Sequence, residues 1–235
     1  MNERQLSARL ERVATYVPTG VKTADIGSDH AYLPCYLCLK DPAATAIAGE
    51  VNEGPFLSAK TQVRQSALEK RISVRKGNGL EVIHSEDHVD AVTIAGMGGA
   101  LIATILEEGK EKLDGVSRLI LQPNVSAITI RKWLFENGWN LIAEEIIEED
   151  DKIYEILVAD RGDVLPLYEQ EKEKKMLLGP YLMSECNKAF QLKWTYEKSN
   201  WERILTQFEK ATETAELKNK KEELKMKIQM VQEVL

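Results

Sequence analysis

NLIAEEIIEEDDKIYEILVA, residues 140–159, contains two apolar-rich runs, 140–147 and 153–159, parted only by the charged residues EEDDK. A parallel crossover needs about a dozen residues or more, so the two runs must pair antiparallel, as a hairpin. Everything upstream has another rhythm. Short apolar or β-branched runs recur at 22–26, 45–48, 72–75, 90–95 and 118–121, with segments such as PFLSAKTQVRQSALEK and ALIATILEEGKEKL between them. Those lengths suit helices that cross between parallel strands. The expected fold class is therefore α/β: a Rossmann-like parallel sheet, covered by helices on both faces and closed at one edge by an antiparallel hairpin.

Outside the sheet the chain reads as helix. Leu6, Leu10, Val13 and Val17 lie at helical spacing, with Asn2 and Gln5 as a possible capping box and Pro18 as the stop. The polar face of that helix carries Arg4, Arg9 and Arg12, and simple solvation of those charges is the plainest reading. Beyond residue 162 the sequence becomes rich in Glu, Lys and Leu, with a break at Gly179-Pro180. Trp194, Trp201, Leu205 and Phe208 form one helical stripe, and Leu217, Leu224, Ile228, Val231 and Leu235 form another with heptad-like spacing. Two long helices packed as a coiled-coil-like hairpin are expected, with a seam too short to favour an extended dimer, so a monomer is expected. The expected division is an α/β domain at 1–162 and an α-helical appendage at 163–235.

The formal net charge is −7, and from Asp163 onward basic and acidic residues number 13 each, so the whole acidic excess precedes that point. Bulk charge thus excludes indiscriminate nucleic-acid binding, while leaving room for a local basic patch. No apolar run approaches the roughly 18 residues of a membrane span, and the charged start MNERQLSARL does not resemble a secretory signal, so a cytoplasmic protein is expected. Cys35 and Cys38 form a C-x-x-C in an apolar stretch with no second pair; core packing is the expected role, and no metal is expected.

The candidate ligand site begins at TADIGSDHAYLP, residues 23–34. Gly27 can turn the chain after the first strand, but Asp29 and Tyr32 occupy positions where a dinucleotide fingerprint needs glycine. Asp29 would repel a pyrophosphate. S-adenosylmethionine has no phosphate and carries a positive sulfonium and ammonium, so Asp25 and Asp29 suit it. Glu50 ends the second strand, where an acidic side chain accepts hydrogen bonds from ribose hydroxyls. Asn78, between Gly77 and Gly79, can bring an amide to an adenine edge. Gly96, Gly98 and Gly99 around Met97 leave a fourth-strand end almost free of side chains, at the edge where open α/β sheets bind ligands.

Taken in order, DIGSDHAYLP, AGEVNEGP, KGNGLEVI, TIAGMGG, LILQPN and EEDDKIYEI resemble the bacterial family of tRNA adenine-22 N1-methyltransferases. The resemblance covers essentially the whole chain and implies a Rossmann-like class I methyltransferase sheet followed by a helical, coiled-coil-like domain. It further implies S-adenosylmethionine as methyl donor and N1 of adenine 22 in tRNA as acceptor. By matching motif positions, Gly27, Ser28, Asp29 and His30 would surround the donor from one side. Glu50, Asn78, Gly79, Gly96 and Met97 would do so from the others.

Adenine N1 is a neutral lone pair, so alignment of the reacting atoms should dominate catalysis. On this reading Asp29 is the first candidate for stabilising the methyladenosinium, Asn124, after a turn at Pro123, for hydrogen-bonding the base edge, and Tyr154 for stacking on the base, against a plain hairpin-packing role. His30 is as readily a structural loop residue as a site residue. Arg4, Arg9 and Arg12, with lysines of the tail, would form local basic surfaces for tRNA. Two alternatives stand beside this: a methyltransferase of a small molecule or protein, and a non-catalytic binding protein on the same fold.

Overall fold

The computed structural model describes residues 2–209 and 214–235. Helix α1 (Ala8–Thr15) precedes β1 (Lys22–Ile26), α2 (Tyr32–Lys40), β2 (Thr45–Glu50), α3 (Glu53–Gln65) and β3 (Ile72–Lys76). Two 3-10 turns, Gly79–Val82 and Ser85–Asp87, then lead to β4 (Ala91–Gly98), α4 (Gly99–Glu108), β5 (Arg118–Val125) and α5 (Ala127–Glu136). The hairpin strands are β6 (Trp139–Glu149) and β7 (Lys152–Arg161). The seven strands are ordered β3-β2-β1-β4-β5-β7-β6. The first five run parallel, and β7 lies antiparallel between β5 and β6. The closing hairpin is thus present, with its second strand taking the inner place.

Helices cover both faces. On one, Ile26, Ile94 and Leu121 of the sheet pack with Ile102 and Leu106 of α4 and Leu134 of α5. On the other, α2 and α3 bury Cys35, Cys38, Ala59 and Val63 against β2 and β3, while α1 sets Val13 and Ala14 against Ile120, Ile156 and Val158. Cys35 and Cys38 are therefore core residues, and burial pushes the Cys35 thiol up to about 11.

Three local readings change. The start of α1 is capped by Ser7, whose Oγ accepts from Leu10 N at 3.3 Å, while Asn2 Oδ1 closes a separate turn by accepting from Arg4 and Gln5 N–H groups at 2.9 Å each. Pro123 forms no turn, because β5 runs on through it to Val125. It is tolerated there because β7 pairs only with Arg118–Leu121 and the β4 register slips between Ala95 and Met97, so no ladder donor is needed. Third, three short helices, α6 (Leu165–Tyr168), α7 (Lys172–Leu178) and α8 (Pro180–Glu185), precede the two long ones, α9 (Lys188–Phe208) and α10 (Ala215–Gln232).

The helical segment is fastened to the hairpin by a mixed core and a buried charge network. Ile146 packs with Leu178, Leu182, Phe190, Trp194 and Val231. Arg131 of α5 is wholly buried and binds Glu144 of β6 at 2.6 Å and Glu155 of β7. Lys193 of α9 adds a second cation to Glu155, and Tyr181 N donates to Glu144 at 3.1 Å. No helix among the described residues is long and apolar enough to cross a membrane.

Candidate active site

The carboxyl ends of β1, β2 and β4 carry the glycine loops, so the loops meet over one edge of the parallel sheet. Gly27 has φ +71° and turns the chain out of β1, its N–H and that of Ser28 both donating to Gly49 O at 3.0 and 3.1 Å. A Cβ on Gly27 would sit 2.1 Å from Met97 Cε, so the two loops touch across this residue. Asp25 is buried beneath the turn, with Oδ2 accepting from Ser28 Oγ at 2.6 Å and Oδ1 from Thr93 Oγ1 at 2.7 Å. Burial raises its carboxyl to about 6, despite those two donors, and nearby Glu50 adds to the rise.

Asp29 follows in a left-handed conformation, φ +54°, which Asp adopts more readily than most residues. Its backbone N–H donates to Glu50 Oε1, tying the first loop to the end of β2. Glu50 is itself buried, and its second oxygen has no other partner among the described residues. The Asp29 side chain is two-thirds exposed, at the mouth of the site, where Oδ1 lies 3.7 Å from His30 Nε2. His30 in turn stacks on Tyr32, their ring centres 5.2 Å apart.

At β4 the backbone is held by side chains. Gly96 (φ +80°) bulges out of the ladder; its N–H donates to Gln122 Oε1 at 2.9 Å and its carbonyl accepts from Asn124 Nδ2 at 2.7 Å. The same Gln122 oxygen accepts from Arg9 Nη1, and the Arg9 guanidinium carbon lies 5.2 Å from the Tyr154 ring centre. A Cβ on Gly96 would meet that guanidinium at 3.7 Å.

These loops enclose a cavity of about 520 Å³. Asp25, Gly27, Ser28, Asp29 and His30 line it from β1, Glu50 from β2, Asn78 and Gly79 from β3, and Gly96 and Met97 from β4. All ten residues expected to surround a donor thus face one space. Leu101 and Ile105 of α4 provide an apolar wall, and Arg9 is the one Lys or Arg among the lining residues. Three carboxylates, one guanidinium and an apolar slot suit a ligand with a flat ring, hydroxyls, positive charge and a single carboxylate.

A model of the tRNA (adenine(22)-N(1))-methyltransferase family matches residues 23–233. The Bacillus subtilis (strain 168) protein called tRNA (adenine(22)-N(1))-methyltransferase is 52% identical over 236 residues, which cover 100% of this chain and 99% of that protein. The chain belongs to this methyltransferase family. The crystal structure of the B. subtilis M1A22 tRNA methyltransferase TrmK superposes with a TM-score of 0.94, covering 98% of this chain and 99% of that one. That of the Streptococcus pneumoniae protein Sp1610 in complex with S-adenosyl-L-methionine does so with a TM-score of 0.86 at 42% identity, covering 98% and 100%.

In this family member the other expected residues are placed differently from one another. Asn124 and Tyr154 stand beside the cavity and reach it through Gly96 and Arg9, respectively. Arg4 is 84% exposed in its side chain, as a solvated face requires. Arg12 is half-exposed and paired with Glu145 of β6 at 2.8 Å. Arg9 departs from the expected solvated face, because Leu6 just before α1, and Val13 and Ala14 within it, pack on the sheet and thereby turn Arg9 into the cavity. Its desolvation lowers the guanidinium below its ordinary value, against the pull of Tyr154 and Glu149. Gln122 and Thr93 were not among the expected residues. The polar Gln122 ending the apolar run LIL was the available signal; Thr93, within a strand that favours β-branched residues, gave none.

Proposed function

We infer that this protein uses S-adenosylmethionine to methylate N1 of adenine 22 in tRNA. The observation that carries the reading is the single cavity at the carboxyl edge of the sheet, lined by every residue of the β1, β2, β3 and β4 loops expected to hold the donor, in a chain of this family. S-adenosylmethionine, when bound, supplies a methyl group activated by a sulfonium. The chain's own residues supply its place. Glu50 has one oxygen fixed on Asp29 N–H and the other available to ribose hydroxyls. Asn78 and the apolar pair Leu101 and Ile105 flank the space for an adenine ring. Arg9, as the one guanidinium, is the counter-ion for the amino-acid carboxylate. Asp25, with both oxygens engaged, shapes the Gly27-Ser28 turn and adds negative charge beneath a cationic ligand.

The target nitrogen needs no base, since its lone pair is free at neutral pH, so the protein's task is alignment and charge stabilisation. Asp29, exposed at the mouth, would face the positive charge that develops on the adenine. Asn124 spends its Nδ2 on Gly96 and retains Oδ1 as an acceptor for an exocyclic amino group. Since N1 lies on the pairing edge, the base must leave its partner, at a cost of about a few kcal/mol that tRNA contacts must offset. Arg4 and the outer side of Arg12 remain candidates for phosphate contacts. The test is reaction of an unmodified tRNA transcript with labelled donor, followed by mapping of the methylated position. Methyl on N1 of adenine 22, lost or strongly reduced in Asp29→Asn, is expected; label elsewhere, or none, would overturn the reading.

A further inference from the structure

A second cleft, about 590 Å³, lies beside the cavity of the glycine loops. Its walls are the junction of β5 and α5, the β6–β7 turn, and one face of α9. Asn124 lines it and donates to the carbonyl of Gly96, which lines the neighbouring cavity, so these two hydrogen-bonded residues join the two spaces. Three large apolar side chains that line it are exposed: Val125 at 66%, Leu192 at 48% and Tyr196 at 72%. Trp194 lines it too, and its buried Nε1–H has no hydrogen-bond partner, alone among the buried side-chain nitrogens and oxygens of the described residues. Such an orphan asks for an acceptor that the chain does not provide.

The electrostatics are equally specific. Glu155 is buried between Arg131 and Lys193, so its charge is balanced within the protein. Helix α5 begins in the cleft with ten residues, no acidic side chain in its first turn, and an N-cap residue, Ser126, whose side chain makes no capping bond. Its free N–H groups suit a phosphate. Asp151 and Glu197 can accept from exocyclic amino groups. An exposed aromatic and aliphatic lining, an unpartnered indole N–H, carboxylate acceptors and a helix start together suit a nucleotide better than a peptide or a lipid.

We propose that this cleft holds one unpaired nucleotide of the tRNA, a direct neighbour of the target adenine, with its base against Tyr196 and Val125 and its phosphate at the start of α5. The proposal rests on the tRNA-methylating reading above. The adjacency of the sites supports it: Asn124 of the cleft bonds Gly96 of the cavity, as a strand crossing from one to the other requires.

Tyr196→Ala and Tyr196→Phe, assayed with full-length tRNA transcripts, test it. Alanine should raise KM for tRNA roughly five- to a hundred-fold, the range given by loss of one base–aromatic stack, while phenylalanine keeps it. Affinity for S-adenosylmethionine should not change. A transcript abasic immediately 5′ or 3′ of the target should show the same rise with the wild-type protein and no further rise with Tyr196→Ala. An unchanged KM in the alanine variant, or losses that simply multiply, would overturn the subsite. A change in oligomeric state by light scattering, with KM intact, would make the cleft a protein interface and overturn it as well. If the wild-type protein leaves every transcript unmethylated, the functional reading fails, and the subsite with it.

Discussion

Asn124 donates its side-chain amide to the carbonyl oxygen of Gly96 at 2.7 Å, where the backbone ladder between β4 and β5 slips. Gln122, two residues earlier on the same strand, accepts the Gly96 N–H at 2.9 Å. One residue is thus gripped at both its N–H and its carbonyl, by side chains that replace the lost rungs. The bulge places Gly96 and Met97 against the Gly27 turn, so the grip fixes the floor of the cavity.

Asn124→Asp exchanges the donor for an acceptor facing another acceptor. The bulge should loosen, and kcat should fall about tenfold or more, equivalent to roughly one hydrogen bond to a charged or strained group. Because Asn124 is exposed, stability should change by less than about 1 kcal/mol. Paired measurements of kcat and melting temperature check this, and a parallel loss of both would contradict it.

Gly27→Ala places a Cβ 2.1 Å from Met97 Cε and a side chain at φ +71°. The methionine tip can move, but the left-handed backbone still costs an alanine about 1–2 kcal/mol. Donor affinity measured calorimetrically should fall. Adding Met97→Ala should restore only the part due to the collision, leaving the backbone cost visible in urea unfolding.

Asp25 makes the protein's stability depend on pH in a defined direction. Its carboxyl sits at about 6 in the folded protein, against an ordinary value of 3.8, chiefly because it is buried. Between those values the folded state holds a proton that the unfolded chain has released. The stabilising contribution is therefore complete below about pH 4, and the ionised carboxylate costs about 3 kcal/mol once pH has risen through 6. In urea titrations, Asp25→Asn should gain on the wild type from pH 4 to 7 and then run parallel to it. A pH-independent difference between the two would refute this.

The parts of the molecule that were legible in the sequence are those fixed by local pattern. The EEDDK link could only join a hairpin, and the glycine positions after β1, β3 and β4 announced loops that a ligand approaches closely. Arg9 was not legible, since helical spacing puts it in one class with Arg4 and Arg12; only the seating of Leu6 and Val13 on the distant strands decides which arginine turns inward. The same holds for Arg131, Glu144 and Glu155. Each looks like a surface charge in its own element, and their burial arises from the helices α7 to α9 closing over them. Those short helices were also missed, because four to seven residues give too little periodicity to separate from a loop.

That buried network predicts an asymmetric response to mutation. Burial works against the charge on Arg131, but Glu144 and Glu155 hold its guanidinium above the ordinary range. Arg131→Met leaves two buried carboxylates with one remaining cation, Lys193, and should cost about 3–5 kcal/mol. The triple variant Arg131→Met, Glu144→Leu, Glu155→Leu removes the charges together and should recover most of that loss in urea unfolding. A triple variant as unstable as the single one would show that shape, and not charge, dominates here.

Arg9 gives the sharpest separation between donor binding and tRNA binding. It lines the cavity, bonds to Gln122 and lies over Gly96, so its replacement should act on the ligand nearest to it. Arg9→Gln retains hydrogen-bonding capacity but removes the charge proposed to pair with the donor's carboxylate, and should weaken S-adenosylmethionine and S-adenosylhomocysteine about 10- to 100-fold, the range for a charge-assisted bond. Methylthioadenosine has the same nucleoside and no amino-acid moiety, so its affinity should be unchanged. If the variant instead binds all three ligands as the wild type does and loses affinity for tRNA with a shallower salt dependence, Arg9 serves the phosphate backbone, and its inward placement serves the substrate rather than the donor.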